Sequence, residues 1–201
     1  MKKLLLTGFE PFLDFPINPT SDIVEALDEK ELGGYKIYGR VLPVEYNVTG
    51  NQLIEHYKDV EPDDVISLGL AAGRHLITPE RVAINCKGGA KDNRGIIYED
   101  DRIDQEGPNA YFSKLPLRSF LNELNGAGYP ADVSNTAGTY LCNYVMYTML
   151  HYLSENNSNV RAGFVHIPAS HELALTNRKL PSWSLNDLLE GIKIIIRTLE
   201  E

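Results

Sequence analysis

Short apolar segments alternate with longer amphipathic ones along the whole chain, and this alternation constrains the fold more than any other feature. The short segments predict strands at residues 3–8, 36–42, 64–70, 81–86, 131–134 and 161–167. Several are apolar on both faces, as a sheet covered by helices requires. The longer segments predict helices at residues 20–29, 47–58, 116–126 and 139–154, and after Ser184. This pattern predicts an α/β fold with a mostly parallel central sheet and helices on both faces.

The length and continuity of the chain favour a single domain over residues 1–201. A chain of 201 residues is long enough to bury one core, and neither a flexible linker nor an internal repeat divides it. Ser184, with Asp187 three residues later, forms an N-terminal capping pattern before the last predicted helix. The least regular stretch is 87–115, which we expect to leave the sheet as a long loop of the kind that often carries function.

The charge balance restricts the class of partner. Lys and Arg number 19 against 28 Asp and Glu, which gives a net charge of −9. An acidic chain without a basic block is poorly suited to nucleic acid or an anionic membrane, because both require a positive surface. No apolar run reaches the roughly 18 residues of a membrane span, and the leucines at 4–6 are too few for a signal peptide. With only two cysteines, Cys86 and Cys142, we expect a soluble cytoplasmic protein.

Cys142 is the leading candidate for a nucleophile. It follows the predicted strand at 131–134 and a short polar turn, and it falls in or near the first turn of the predicted helix at 139–154. Ligands of open α/β sheets bind beyond the carboxyl ends of the strands, and a helix N-terminus favours the thiolate. The alternative is a buried cysteine that packs as a small hydrophobic side chain, the commoner fate of a lone cysteine.

Two further side chains would complete a nucleophilic site of this kind. His166 lies at the carboxyl end of a predicted buried strand, just before Pro168, although a hydrogen-bonded core histidine is an equal alternative. Glu80 precedes the apolar segment at 81–86, and an imidazolium is one suitable partner for its carboxylate. An ion pair of Glu80 with Arg74 or Arg81 remains equally open.

The sequence lacks the common motifs of nucleotide-binding and metal-binding proteins. The sequence has no phosphate-binding loop, dinucleotide fingerprint or zinc spacing, so we expect neither a cofactor nor a metal. Glu99, Asp100, Asp101 and Asp104 lack calcium-loop spacing and are better interpreted as a solvated acidic face. Cys86 has no helix after it that would activate its thiol, and we interpret it as structural or incidental.

Five motifs occur in a fixed order, at residues 7–12 (TGFEPF), 18–20 (NPT), 77–82 (ITPERV), 134–147 (SNTAGTYLCNYVMY) and 164–168 (FVHIP). Together they resemble the pyroglutamyl peptidase type I family. The resemblance implies a cysteine exopeptidase that removes N-terminal pyroglutamyl residues from peptides, with Glu80, Cys142 and His166 as its catalytic triad. It also implies an α/β domain of the phosphorylase/hydrolase type and a cytosolic enzyme that needs no metal and is often a homotetramer.

The resemblance further implies a slot for the lactam ring of the substrate. Phe9 and Phe12 would form its walls, whereas position alone favours core packing for both. Leu70 stands where many relatives have Gln, so other groups must bind the lactam. The backbone N–H groups at the start of the Cys142 helix would bind the oxyanion of the substrate, and Arg74, a substrate-binding candidate, would help them.

Residues 86–93 (CKGGAKDN) depart from the family pattern Ile-x-Asp-Ala-Arg-Ile-Pro-Asp-Asn. The segment is shorter and lacks the first aspartate, the arginine and the isoleucines, and its glycines predict a looser loop over the site. Two alternatives therefore stay open beside the peptidase. One is a thiol hydrolase of another small amide or ester, and the other is a binding protein that has lost turnover, although a binding protein has no need of a complete triad.

Overall fold

Parallel strands form the centre of the structure, a computed structural model that describes residues 1–200. The strands are β1 (Lys2–Phe9), β2 (Glu31–Leu32), β3 (Tyr35–Leu42), β4 (Asp64–Leu70), β5 (Thr78–Pro79), β6 (Val82–Ile84), β7 (Ala110–Phe112), β8 (Arg161–Ile167), β9 (Ala169–Ser170) and β10 (Ser182–Trp183). The helices are α1 (Pro19–Leu27), α2 (Tyr46–Val60), α3 (Leu117–Gly126), α4 (Leu141–Glu155), α5 (His171–Thr176) and α6 (Leu185–Thr198).

The central sheet has six strands in the order β2-β3-β1-β4-β8-β5. Strands β3, β1, β4 and β8 run parallel, and the short strands β2 and β5 pair antiparallel at the two edges. Because parallel strands end on the same side, the carboxyl ends of β1, β4 and β8 form one edge of the sheet. The prediction of a mostly parallel sheet is confirmed.

Helices cover both faces of the sheet, as the two-sided apolar strands predict. Successive side chains of a strand point to opposite faces, so Leu4 and Leu6 of β1 pack with α1, α3 and α6. Leu5 packs on the opposite face with α2 and α4. The helix termini also follow the sequence: Asn18 caps α1 ahead of Pro19, and Ser184 accepts a hydrogen bond from the backbone N–H of Asp187 at 3.1 Å.

Two predicted strands differ from the structure. Residues 131–134 form no strand and make only isolated bridges, Ile77 to Ala131 and Glu80 to Ser134. The segment at 81–86 contributes only β6, which pairs with β7 in a separate two-stranded sheet. Both segments are short and partly exposed, so neither becomes a strand of the buried central sheet. They run along its edge instead.

The segment between β6 and β7 leaves the sheet as expected. Residues 87–109 contain an isolated bridge between Lys87 and Asp101 but no helix or strand. Within residues 1–200, no helix is both long enough and apolar enough to cross a membrane.

Candidate active site

His166 and Glu80 meet at the edge of the central sheet. His166 lies near the end of β8, and Thr78 of β5 pairs with it, which places Glu80 two residues further along. The Nδ1–H of His166 donates to Oε1 of Glu80 at 2.7 Å, because an ionised carboxylate can only accept. Glu80 is fully buried and His166 is 5 % exposed. This hydrogen bond fixes the imidazole and leaves its Nε2 to accept a proton.

Cys142 is the second residue of α4 and lies on the same side of the sheet as His166. Gly69 of β4 pairs with His166 of β8 in the parallel register, so both direct their Cβ positions to one face. A Cβ built on Gly69 would lie 3.0 Å from Sγ of Cys142 and 2.6 Å from the ring of Phe164. Glycine at this position therefore makes room for the thiol beside the strand. Sequence reasoning did not select Gly69, although a glycine inside a buried strand often marks such a close approach.

The surroundings of the site favour uncharged forms of the thiol and the imidazole. Cys142 is only half-buried as a residue, yet burial of its thiol and the negative charge of Glu80 together raise its pKa to about 12. The charge of Arg74 and the backbone N–H of Cys142 offset part of this effect. Burial lowers the pKa of His166 below its ordinary value, although Glu80 opposes the shift. Burial thus opposes the thiolate that the helix N-terminus is expected to favour.

The guanidinium of Arg74 binds the carboxylate of Glu80. Its Nη1 donates to Oε1 of Glu80 and to Oγ1 of Thr78, each at 2.7 Å, and its Nη2 donates to the carbonyl of Thr136 at 3.0 Å. Glu80 thus contacts both His166 and Arg74. The sequence left open whether its partner is an imidazole or an arginine, and the structure shows both. Arg81 instead donates to Oδ1 of Asn135 at 2.7 Å. Arg74 does not line the cavity described below, and its contact with substrate stays a prediction.

The carboxylate of Glu80 is held in its ionised form. Burial raises its pKa, but the hydrogen bond and charge of His166, together with Ser134 and Arg74, outweigh that effect and lower the pKa below its ordinary value. An ionised Glu80 is what an orienting partner of an imidazole requires. Ser134 and Thr136 were missed by sequence reasoning, because their proximity to Glu80 depends on the bridge between two distant segments.

A small, mainly apolar cavity of about 20 Å³ opens onto Cys142. Its lining consists of Phe9, Phe12, Asn18, Val44, Leu70, Tyr140, Leu141 and Cys142. The structure thus brings three of the expected pocket residues, Phe9, Phe12 and Leu70, to the thiol. The cavity lies far below the roughly 300–1,000 Å³ of sites for drug-sized ligands, so its side chains must move apart before even a small ring can enter. Asn18 and Tyr140 lie within the quoted motifs, but sequence reasoning gave neither a role.

The divergent segment at 86–93 is held firmly beside this cavity. Gly88 N–H donates to the carbonyl of Thr139 at 2.8 Å, and the hydroxyl of Tyr140 donates to the carbonyl of Lys91 at 2.9 Å. Tyr46 donates to the carbonyl of Gly88 at 3.3 Å. The tyrosines and the turn before α4 thus bind backbone groups of the glycine-rich segment, and the looser loop stays a prediction.

Cys86 and the acidic residues form no comparable site. Sγ of Cys86 lies 3.9 Å from Oδ1 of Asp100, and burial together with that carboxylate raises the pKa of its thiol. Within residues 1–200, the structure contains no group of three or more potential metal-ligating side chains.

An α/β fold that brings a thiol, an imidazole and a carboxylate to one edge of its sheet defines a cysteine hydrolase. The family model described as pyroglutamyl peptidase matches residues 2–201. The chain belongs to the pyroglutamyl peptidase family, and it is therefore an enzyme, a cysteine peptidase. The membership expected from the five motifs is confirmed.

Curated relatives and solved structures agree with this assignment. The chain is 52 % identical over 200 residues to the pyrrolidone-carboxylate peptidase of Oceanobacillus iheyensis, covering 100 % of both chains. It is 42 % identical over 197 residues to that of Yersinia pseudotuberculosis, covering 98 % of this chain and 92 % of the relative. A mutant pyrrolidone carboxyl peptidase of P. furiosus superposes with a TM-score of 0.95 at 40 % identity over 99 % of both chains. The enzyme of Thermococcus litoralis gives 0.94 at 37 % identity, covering 99 % and 93 %.

Proposed function

We propose that Cys142, His166 and Glu80 carry out the reaction of this family, the removal of an N-terminal pyroglutamyl residue from a peptide. The observation that carries the proposal is the 2.7 Å hydrogen bond between His166 and Glu80 on the face that also presents the thiol. The thiol in turn opens into an apolar cavity lined by Phe9, Phe12 and Leu70. Nucleophile, base and orienting carboxylate are the parts that acyl transfer by a cysteine requires.

The acylation step begins from a neutral thiol. His166 accepts the Sγ proton of Cys142 at Nε2 as sulfur forms a bond to the pyroglutamyl carbonyl carbon. The carbonyl π electrons move to oxygen and give a tetrahedral oxyanion. When this intermediate collapses, the C–N bond breaks and the imidazolium transfers its proton to the leaving amine. Glu80 keeps the imidazole in the required tautomer and stabilises its cation.

Deacylation repeats the sequence with water in place of the thiol. His166 removes a proton from water, the oxygen adds to the thioester carbonyl, and the C–S bond breaks. The proton then returns to sulfur, which restores the thiol and releases free pyroglutamate. The low pKa of His166 keeps its imidazole neutral for both proton abstractions at neutral pH.

The oxyanion would lie at the start of α4. The first hydrogen bond in this helix runs from the N–H of Tyr144 to the carbonyl of Tyr140 at 3.0 Å. The N–H groups of residues 141–143 precede it, and such groups have no partner within the helix. These free N–H groups support the proposal that the N–H of Cys142 stabilises the negative oxygen as it develops.

The pyroglutamyl ring would enter the cavity between Phe9, Phe12 and Leu70, whose side chains would move apart to admit it. The ring of Phe9 is buried, and that of Phe12 packs 6.3 Å from Tyr140 between centroids. Leu70 offers no hydrogen bond, so the polar atoms of the lactam would be met by backbone groups. A ring enclosed on its amino side explains an exopeptidase, because no residue can precede pyroglutamate in the slot.

We further propose a cytoplasmic homotetramer, as the resemblance implies. The free thiols of Cys86 and Cys142 are consistent with a reducing compartment. Light scattering coupled to size-exclusion chromatography tests the oligomer directly: a tetramer mass supports it, and a monomer mass at working concentration contradicts it.

Release of a fluorescent amine from its pyroglutamyl and prolyl conjugates tests the activity. Proline has the same five-membered ring size but lacks the lactam carbonyl, so its conjugate reports ring selectivity. We expect cleavage of the pyroglutamyl conjugate only, abolished in Cys142→Ser and retained in Cys86→Ser. Failure of the reduced wild type to cleave the conjugate would contradict the proposal, and preference for another acyl group would favour a different thiol hydrolase.

A further inference from the structure

One oxygen of the Glu80 carboxylate has no hydrogen bond. Oε1 accepts from both His166 and Arg74, whereas Oε2 is buried and accepts from no residue within 1–200. A buried carboxylate oxygen without a donor is costly, since it has lost water and gained nothing in return. Because Oε1 accepts two hydrogen bonds and Oε2 accepts none, we expect a hydroxyl or N–H donor near Oε2.

Ser134 is fixed beside Glu80 by the backbone. The two residues form a parallel bridge, in which Ser134 N–H donates to the carbonyl of Pro79 at 3.0 Å and Arg81 N–H donates to the carbonyl of Ser134 at 2.8 Å. These hydrogen bonds join Ser134 to both neighbours of Glu80. Burial raises the pKa of Glu80, and His166, Ser134 and Arg74 lower it again, which agrees with a Ser134 hydroxyl close to this carboxylate.

The hydroxyl of Ser134 can change its acceptor without leaving a carbonyl unsatisfied. It donates to the carbonyl of Thr136 at 3.0 Å, and the same carbonyl accepts from Nη2 of Arg74 at 3.0 Å. If the hydroxyl turns to Glu80, the carbonyl of Thr136 keeps its charged donor. A serine hydroxyl rotates readily to suit its neighbours.

We propose that the Ser134 hydroxyl donates to Oε2 of Glu80 and is a positioning residue for the catalytic pair. Through this bond Ser134 would hold the carboxylate plane in line with the imidazole of His166. The positive end of the O–H dipole would also disfavour the imidazolium and thereby lower the pKa of His166. The proposal rests on the function proposed above.

A matched pair of variants separates this role from a structural one. Ser134→Thr keeps the hydroxyl, and Ser134→Val has the same shape without it. We expect Ser134→Thr to retain most activity and Ser134→Val to lose about 10-fold in kcat/KM, the effect of one lost hydrogen bond to a charged group. The acid limb of kcat/KM should also move to higher pH in Ser134→Val, because the imidazole then becomes easier to protonate.

Thr136→Val is the control for the turn. The hydroxyl of Thr136 accepts from the N–H of Gly138 at 3.1 Å, so this variant also removes a turn hydrogen bond, but one without a link to Glu80. We expect its acid limb to match the wild type. An unmoved acid limb in Ser134→Val, or an equal movement in Thr136→Val, would overturn the proposal.

A second measurement needs no turnover. The imidazole of His166 can be titrated by NMR with labelled histidine in Cys142→Ala, with and without Ser134→Val. A higher pKa of His166 in the double variant supports the proposal, and an unchanged pKa overturns it. Because this titration uses no substrate, it is independent of whether pyroglutamate is the acyl group.

Discussion

The thiol of Cys142 lies against the backbone of Gly69, near the end of the buried strand β4. A Cβ at position 69 would come within 3.0 Å of Sγ and within 2.6 Å of the ring of Phe164. The close approach places sulfur over the strand next to β8, where His166 occupies the paired position. The geometry of the nucleophile therefore depends on the absence of a side chain in a strand far away in sequence.

Gly69→Ala should remove most of the activity. The added methyl group must displace either the aromatic ring or the thiol, and overpacking of this kind costs about 1–3 kcal/mol of stability. Displacement of a reacting atom by about 1 Å lowers rates by about 100-fold, and we expect a loss of that order in kcat/KM.

The matched control is Gly126→Ala at the end of α3, where an added Cβ meets nothing within 4 Å. Its activity and thermal midpoint should stay close to those of the wild type. Full activity of Gly69→Ala would show that the thiol does not need this space.

The acid limb of the kcat/KM profile should follow the protonation of His166. Burial lowers the pKa of its imidazole below the ordinary value of about 6.5. The neutral, active base is present above the folded pKa and is lost as pH falls through it. We therefore expect kcat/KM to hold through neutral pH and to decline only below about 6.5. A plateau that begins above that value would contradict the assignment.

The thiol should show no ionisation of its own near neutrality, because burial raises the pKa of Cys142 to about 12. Rates of iodoacetamide labelling in Cys86→Ser, measured from pH 5 to 9, check this. We expect labelling to increase with pH across the range, whereas a constant rate above pH 5 would indicate a preformed thiolate ion pair.

Substitution of Arg74 should move the acid limb of the kcat/KM profile to higher pH. The positive charge of Arg74 lowers the pKa of His166, so Arg74→Met should raise that pKa and cause activity to be lost at higher pH. Arg74→Lys keeps the charge but not the two-pronged geometry, and it should shift less while still losing activity. Equal limbs in all three proteins would show that Arg74 does not act on the imidazole.

Much of this site could be predicted from the sequence, because its residues end predicted strands or begin predicted helices. His166 and Cys142 could be selected because a carboxyl strand end and a helix start are visible in sequence. Gly69 and Ser134 were not selected, because each acts through contact with a segment far away in the chain. The charge state of Cys142 is hard to predict for a related reason: the sequence shows the helix N-terminus but not the depth of burial that opposes a thiolate there.

The loss of the Tyr140 hydroxyl should weaken substrate binding. Tyr140 lines the cavity and donates to the carbonyl of Lys91, which holds the segment at 86–93 in place. Tyr140→Phe keeps the ring and removes this hydrogen bond, worth about 0.5–1.5 kcal/mol. We expect KM for a pyroglutamyl conjugate to rise by about 2- to 10-fold with kcat nearly unchanged.

Tyr57→Phe is the matched control, since the Tyr57 hydroxyl lies 3.4 Å from Ser158 and does not line the cavity. Its kinetic constants should match the wild type. A fall in kcat with unchanged KM in Tyr140→Phe would contradict a role of the hydroxyl in binding.

Trapping the acyl-enzyme tests the central claim most directly. Wild-type protein is mixed with an activated pyroglutamyl ester, quenched in acid within the first turnover and mapped by mass spectrometry, with Cys142→Ala treated in parallel. The mechanism predicts one added pyroglutamyl group on the peptide that contains Cys142 and none in the variant. Turnover without an adduct in the wild type, or an adduct that persists in Cys142→Ala, would contradict Cys142 as the nucleophile.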